Sequence, residues 1–223
     1  MDAPPAGGDA TTPPPAPTPA QPSPFSLDIR EGHTLELDAR LLTALARQGH
    51  NGLALEDGLV RVSVQVADPL QAVDAPITLA YLRAGDWLPL DLLRHECLHL
   101  QALSPARLRT RESGVPPDGA FSLHDWMVAM LRIRQLPEAE QRIGAVLQLL
   151  VQRLGHRCGG WYALPLRLTH AELAELSGHN RVTVTRQLSR WRGLGLIAAE
   201  TGIGGELWLS PALVETRQRL WDP

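Results

Sequence analysis

The sequence predicts an α+β fold with an N-terminal β-roll or small barrel, a central helix and a C-terminal winged helix-turn-helix. Three observations predict it. Apolar residues alternate with a period of two in the first half of the chain, follow a helical period near its middle, and line two short helices joined by a glycine near its end. These patterns place the strand-rich part at 25–120, the central helix at 121–136 and the winged helix-turn-helix at 137–223.

The composition is that of a soluble globular protein, with 44% hydrophobic residues in a chain of 223. No window approaches 18 uninterrupted apolar residues, so we expect no transmembrane helix and no membrane partner. Residues 1–29 lack the features of a secretory signal or transit peptide, and a cytoplasmic location is expected. The two cysteines, Cys97 and Cys158, are too few and too far apart for a disulfide framework.

Charge is distributed unevenly along the chain. Residues 1–120 carry 9 basic and 15 acidic side chains, whereas residues 121–223 carry 12 basic and 9 acidic ones. An acidic half joined to a basic half is typical of a sensor or dimerisation domain attached to a DNA-binding domain. The first 24 residues contain nine prolines and are predicted to be a disordered tail, with a polyproline ligand for a partner protein as the alternative.

Short strands are predicted over most of residues 25–110. One run alternates apolar and polar residues from Val60 to Val66, and a second does so from Leu98 to Ala102. Glycine and aspartate separate such runs, and one short amphipathic helix is predicted at 38–48. Several short strands with turn signals between them indicate a small β-roll or barrel.

The central helix is predicted to begin near Ser122 and to end at Pro137, before a further helix over 138–154. Four of its apolar residues have the a/d spacing of a coiled coil over about two heptads. We therefore predict that they form the seam of a homodimer; the alternative is a helix that packs within its own chain. The predicted seam consists of Leu123, Trp126, Met130 and Ile133.

The signals for a helix-turn-helix lie in residues 167–197. Thr169 is a natural N-cap, and Glu172 completes a capping box three residues later. Gly178 supplies the positive φ of a tight turn, and Asn180 can cap a second helix that runs to about Arg192. The two helices would share an apolar face made of Leu173, Leu176, Val184 and Leu188.

The outer side of the second helix has the composition of a DNA-reading surface. No acidic residue occurs from Leu176 to Ile197, whereas an ordinary solvated face mixes both signs of charge. Arginine and threonine suit phosphate oxygens and base edges. Leu196–Ala199 and Glu206–Leu209 flank a glycine-rich turn and are predicted to form a hairpin wing. The alternative is a helix pair used only for packing or protein contact. The outer residues are Arg181, Val182, Thr185, Arg186 and Ser189.

Residues 138–210 resemble the DNA-binding domain of the Crp/Fnr superfamily. The run from Arg181 to Arg186 (RVTVTR) is especially similar to the recognition helix of the cyanobacterial global nitrogen regulator, and Leu168–His170 and Gly195–Ile197 also fit. The resemblance implies an N-terminal β-roll of cyclic-nucleotide-binding type, a central dimerisation helix and a winged helix. It also implies a transcription regulator rather than an enzyme, with double-stranded DNA, a second copy of the chain and, for an activator, RNA polymerase as partners.

The resemblance also implies roles for individual residues. Arg181, Val182 and Arg186 would contact bases, and a second group would contact phosphates. The nucleotide cassette of the family is missing, since Arg94 is the one basic candidate in its region and no glycine-rich turn frames it. We therefore expect a degenerate roll without cyclic AMP response and no cofactor, and the sequence identifies no effector. The phosphate group consists of Thr169, His170, Asn180 and Thr183.

Two other functions compete with DNA binding. His95–His99 (HECLH) matches the zinc-peptidase pattern, but the alternation around His99 predicts a strand, in which the two histidines would lie about 13 Å apart. One zinc ion could not bind both, so we reject this site. The second competitor is a degenerate dimeric interaction module that no longer binds DNA, and the presence of Arg181 and Arg186 argues against it.

Overall fold

The computed structural model describes residues 25–65, 76–90, 97–112, 116–198 and 206–215. Eight strands and one helix form the first part of the chain: β1 (Ser26–Ile29), β2 (Thr34–Leu37), α1 (Ala39–Arg47), β3 (Gly52–Asp57), β4 (Leu59–Gln65), β5 (Pro76–Arg83), β6 (Trp87–Pro89), β7 (Leu98–Ala102) and β8 (Ala106–Arg111). The second part contains α2 (Leu123–Arg134), α3 (Ala139–Leu154), β9 (His156–Cys158), β10 (Trp161–Leu164), α4 (His170–Ser177), α5 (Arg181–Gly193), β11 (Leu207–Leu209) and α6 (Pro211–Val214). The predicted α+β class is confirmed.

The first part consists of two four-stranded antiparallel sheets. Their strand orders are β1-β8-β3-β6 and β2-β7-β4-β5. The alternation predicted from sequence is present, since Val60 and Val62 on β4 and Leu98, Leu100 and Ala102 on β7 are buried. Side chains that alternate in this way bury one face of each sheet, which is the arrangement of a β-roll.

Helix α2 packs against this roll and does not present the predicted seam to solvent. Leu123 and Ile133 have no exposed surface and Trp126 is 1% exposed, so these three residues belong to the core of their own chain. Trp126 makes edge contacts with the rings of Tyr81 on β5 and Phe121. The predicted dimer seam is therefore wrong for these three residues, and Met130, the fourth, is partly buried on the same core. The regular spacing of apolar residues in α2 therefore reflects the packing of this helix on a sheet of its own chain.

Helix α3 is the centre of the C-terminal part. All residues from Ile143 to Val151 are buried, because α3 contacts α2, α4, α5, α6 and β10. The glycine-containing region after α3, where a loop would be expected around Gly155, Gly159 and Gly160, contains the hairpin β9–β10. Strand β10 also pairs with β11, so the wing belongs to a three-stranded sheet. Ile197 and Leu209 form the bridge predicted between the two wing segments; residues 199–205 lie outside the described residues.

Several sequence predictions fall wholly or partly outside the described residues. These are the Pro-rich tail at 1–24, Val66 at the end of the alternating run, and Arg94, His95 and Glu96. His99 lies on β7, so the helix that a zinc-peptidase site requires is not formed there. In the described ranges no group of three or more His, Cys, Asp or Glu residues could hold a metal ion, and none of the helices described could span a membrane.

Candidate nucleic-acid interface

Helix α4 begins with the predicted capping box. The Thr169 hydroxyl accepts a hydrogen bond from the Glu172 backbone N–H at 3.1 Å, and the Glu172 carboxylate accepts one from the Thr169 backbone N–H at 2.8 Å. Two N–H groups that a helix leaves without intrahelical partners are thereby satisfied. This reciprocal pair fixes the direction in which the chain enters the helix-turn-helix.

The turn between α4 and α5 also follows the sequence prediction. Gly178 has φ of 68° and ψ of 35°, a left-handed conformation that costs glycine little. The Asn180 side-chain oxygen then accepts from the backbone N–H of Thr183 at 2.8 Å and caps α5. Because the Asn180 oxygen is used in this way, its amide N–H₂ group is the part that remains for a phosphate.

Buried side chains hold the two helices together. The four residues predicted for the shared face are all buried, and Ala174 allows close approach. Trp191, one turn beyond Leu188 on α5, is also buried, with 1% of its surface exposed. The sequence analysis did not single out this tryptophan, although its spacing of three residues from Leu188 is the signal that could have revealed it.

The opposite side of α5 is exposed and carries unpaired positive charge. Arg181, Val182, Thr185 and Arg186 together line one shallow concave surface. Val182 is 67% exposed, which is unusual for an apolar residue on a packed helix. Within the described part of the chain, neither Arg181 nor Arg186 forms an ion pair, whereas Arg190 is paired with Glu140 at 2.9 Å. Two arginines on this surface thus remain available to an anion.

His170, the first residue of α4, lies at the border of this surface. Its Nδ1 is 2.9 Å from the Thr185 hydroxyl, which in turn donates to the Arg181 carbonyl oxygen at 2.8 Å. Partial burial, followed by the positive charges of Arg192 and Arg181, lowers the pKa of His170 below its usual value. The neutral form of this histidine is thereby favoured in the free protein.

The inner side of α4 is bound to the β-roll by charged groups. Arg61 of β4 contacts Glu172 at 3.2 Å and Glu175 at 3.4 Å, and its Nε donates to the Thr78 hydroxyl at 2.8 Å. The Thr78 backbone N–H donates to the Glu175 carboxylate, and Arg134 of α2 donates to the Glu175 carbonyl oxygen. Sequence reasoning missed this junction, since Arg61 lies more than 100 positions from both Glu172 and Glu175 and no local pattern connects them.

A second junction joins α3 to the roll. The Arg153 guanidinium lies 2.5 Å from the carboxylate of Asp86, whose side chain is 3% exposed, and 4.1 Å from the centre of the Phe121 ring. Burial is the main cause that raises the pKa of Asp86 above its usual value, and Arg153 opposes the shift. Together the two junctions attach the helix-turn-helix to the roll while α5 faces outward.

Comparison with known proteins identifies the C-terminal part. The family described as Crp-like helix-turn-helix domain matches residues 141–207. The regulatory protein CysR of Synechococcus elongatus is 32% identical over 123 residues, a stretch that covers 51% of this chain and 60% of CysR. The C-terminal part of the chain is thus similar to Crp-like helix-turn-helix domains, and the chain spans less than two thirds of the length of CysR.

Solved structures show that the Crp/Fnr likeness of the fold extends through the roll. A CRP/FNR-family transcriptional regulator from Thermus thermophilus matches with a TM-score of 0.58 and 20% identity, over 87% of this chain and all of that one. A second CRP-family regulator from that organism matches with a TM-score of 0.57 and 22% identity, over 84% of this chain and 94% of that one. A cyclic nucleotide-binding domain containing protein from Listeria monocytogenes matches with a TM-score of 0.58 and 11% identity, over 84% of this chain and 89% of that one.

The site residues expected from the Crp/Fnr resemblance all lie at or near the outward face of the helix-turn-helix. Arg181, Val182 and Arg186 share the exposed surface of α5. The four residues assigned to phosphates are found at the amino ends of the two helices: Thr169 and His170 at α4, and Asn180 and Thr183 at α5. Backbone N–H groups and the positive ends of helix dipoles favour anions at such positions.

Proposed function

We propose that this protein is a sequence-specific DNA-binding transcription regulator. The observation that carries the proposal is the exposed, acid-free surface of α5, which is presented by a fully capped helix-turn-helix. Val182 is exposed between two arginines that form no ion pair with the described residues. Such a surface suits the major groove, where methyl groups and guanine acceptors are both displayed.

We propose roles for the seven site residues from their positions on the two helices. Arg181, Val182 and Arg186 are proposed to read base edges, with arginine donating to guanine and the valine methyls meeting a thymine methyl. Thr169, His170, Asn180 and Thr183 are proposed to hold the phosphates on either side and to set the depth of α5 in the groove. The similarity of α5 to the nitrogen regulator suggests half-sites that resemble GTA and TAC.

The protein is proposed to act as a homodimer through the outer face of α2. Since the predicted seam is buried within the chain, the dimer must use the residues on the other side of the helix. Met127, Val128 and Leu131 are 39%, 48% and 62% exposed and lie within little more than one turn of each other. An apolar face of this kind on the central helix is what a partner copy of the same helix would cover.

The regulatory input is proposed to be something other than cyclic AMP, or absent. At the boundary between the roll and the neighbouring helices, Tyr81, Trp87 and Trp126 are nearly fully buried and fill space with aromatic rings. The Trp87 ring is pressed so closely on Gly52 that a Cβ at this glycine would overlap it. A cytoplasmic location and an action on RNA polymerase, direct or by exclusion, belong to the same proposal.

Selection of bound sequences from random double-stranded DNA tests the function directly. The full chain should enrich a near-palindrome, and the chain with Arg181→Ala should lose preference at one base pair of each half-site. A chain that enriches nothing and shifts no DNA, while remaining a folded dimer, would instead support the interaction module without DNA binding. The experiment therefore separates the two candidate functions.

A further inference from the structure

The contacts around His170 favour one position for the proton of its neutral ring. The Thr185 hydroxyl lies 2.8 Å from the Arg181 carbonyl oxygen, and a carbonyl oxygen can only accept. With the single hydroxyl proton of Thr185 directed to that carbonyl, the same hydroxyl oxygen, 2.9 Å from Nδ1 of His170, accepts from an Nδ1–H group. The opposite assignment, in which Thr185 donates to Nδ1 and Nε2 carries the proton, is distinguished from the first by the tautomer measurement described below.

A neutral imidazole carries one proton, so His170 in this arrangement has a lone pair at Nε2. Nε2 lies across the ring from Thr185 and is the nitrogen left to meet a ligand. A phosphate oxygen is also an acceptor, and two acceptors repel each other. In its neutral form His170 therefore cannot make the phosphate contact expected at this position, whereas the imidazolium can, because it donates from both nitrogens.

We propose that binding of DNA by this protein takes up a proton at Nε2 of His170, one at each half-site. This inference rests on the proposed DNA-binding function. The proton goes from solvent to Nε2, no covalent bond breaks, and the resulting N⁺–H donates to a phosphate oxygen. The bond to Thr185 is kept in both states, so His170 can gain charge without losing its contact with α5.

The charged groups around the His170 ring favour the uptake of a proton when DNA binds. Burial is the main cause that lowers the pKa of His170, and the positive charges of Arg192 and Arg181, both on α5, act in the same direction. On α4 itself, the Glu172 carboxylate is engaged by Thr169 and by Arg61 of β4. A DNA phosphate would add a negative charge beside the ring and raise the pKa of His170 in the complex.

The sign of the pH dependence follows from linkage. Affinity is highest and flat below the pKa of free His170, where both states are protonated. It falls as pH rises from the free-state pKa to the higher pKa of the complex, by up to about tenfold per pH unit for each half-site, and then levels off. Thus the protein should bind DNA more tightly in mildly acidic than in alkaline solution.

Two measurements on the full chain test the proposal. Long-range ¹H–¹⁵N spectra of the free protein should show His170 as the Nδ1–H tautomer. Affinity for the selected DNA site, measured from pH 5.5 to 8.5, should decline more steeply for the wild type than for His170→Gln, whose amide can donate at every pH. His99→Gln, in strand β7 of the roll, is the matched control and should keep the wild-type slope.

The outcomes distinguish this inference from the function on which it depends. A chain that binds no DNA at any pH overturns both. A chain that binds DNA with the same pH profile as His170→Gln overturns the proton uptake and leaves the proposed function standing. An Nε2–H tautomer in the free protein also overturns it, because that form could already donate to a phosphate.

Discussion

Arg61 and Glu172, separated by 111 positions in the sequence, form an ion pair at 3.2 Å between the β-roll and the helix-turn-helix. Glu172 is also the residue that closes the capping box with Thr169. One carboxylate thus fixes the start of α4 and at the same time attaches that helix to β4. A movement of the roll that displaced Arg61 would act on the first turn of the DNA-binding unit.

Replacement of Arg61 by methionine should destabilise the protein. The Arg61 side chain is 13% exposed, and its guanidinium binds the carboxylates of Glu172 and Glu175. Methionine would leave both carboxylates without this cation in a half-buried interface. We expect a loss of roughly 1–3 kcal/mol in the free energy of unfolding, measured by urea denaturation. Arg107→Met is the control, because the Arg107–Asp28 pair is open to solvent and its loss should leave the urea midpoint unchanged. Equal midpoints for the two variants would contradict the assigned junction.

Local chemistry made part of the site predictable from sequence. Thr169, Gly178 and Asn180 act on backbone groups within five residues of themselves, so their caps and turn could be predicted without knowledge of the fold. The surface that covers one face of a helix, in contrast, is formed by residues far away in the sequence. The spacing of Leu123, Trp126 and Ile133 shows that α2 buries one side, but sequence alone does not say whether the roll or a second copy covers it.

Other parts of the fold carry too weak a pattern in the sequence to be predicted from it. All three residues of β9 are exposed, so this strand shows no alternation, and the Gly159–Gly160 turn alone did not distinguish a hairpin from a loop. Arg61 and Glu175 are ordinary charged residues of a strand and a helix until the fold brings them together. These failures share one cause, since each depends on which surfaces meet after the elements have formed.

Introduction of a charge into the outer face of α2 should dissociate the proposed dimer. In Leu131→Asp the dimer would have to bury a carboxylate against an apolar partner, so we expect a monomer at micromolar concentration in sedimentation analysis. Leu194→Asp is a closely matched control, since Leu194 is also 62% exposed but lies after α5, and this variant should stay dimeric. If Leu131→Asp remains a dimer, the interface lies elsewhere.

Loss of the α4 cap should have a measurable effect on stability. In Thr169→Ala the Glu172 backbone N–H loses its acceptor, and a cap of this kind contributes about 1 kcal/mol. Thr169→Ser should restore most of it. Ser210→Ala tests a second N-cap position, which makes no side-chain cap hydrogen bond at α6, and should have a smaller effect on the unfolding temperature. A larger effect at Ser210 would argue against the capping account.

Cyclic AMP should produce no saturable heat when it is titrated into the protein in a calorimeter. The aromatic residues Tyr81, Trp87 and Trp126 are packed where the roll meets the neighbouring helices, and their displacement would disrupt the core. Tight binding with a stoichiometry of one per chain would overturn the expectation that the roll is degenerate.

Arg181 and Thr183, two positions apart at the start of α5, should contribute to DNA binding in different ways. A dimer places its two recognition helices about 34 Å apart, the distance between successive major grooves on one side of DNA. Arg181, exposed and unpaired within the described residues, can donate two hydrogen bonds to O6 and N7 of guanine. Thr183 lies at the capped amino end of the helix, where it is proposed to meet a phosphate.

The two alanine variants should therefore differ in kind. Arg181→Ala should weaken binding by roughly 1–3 kcal/mol at each half-site and relax the preference for guanine at one position. Thr183→Ala should weaken binding to all sequences alike, because phosphates are the same at every base pair. Both expected effects are tested by measuring the affinity of each variant for the selected site and for a site with that guanine replaced, at one fixed salt concentration. If Arg181→Ala leaves the affinity and the selected motif unchanged, α5 does not enter the groove with this face.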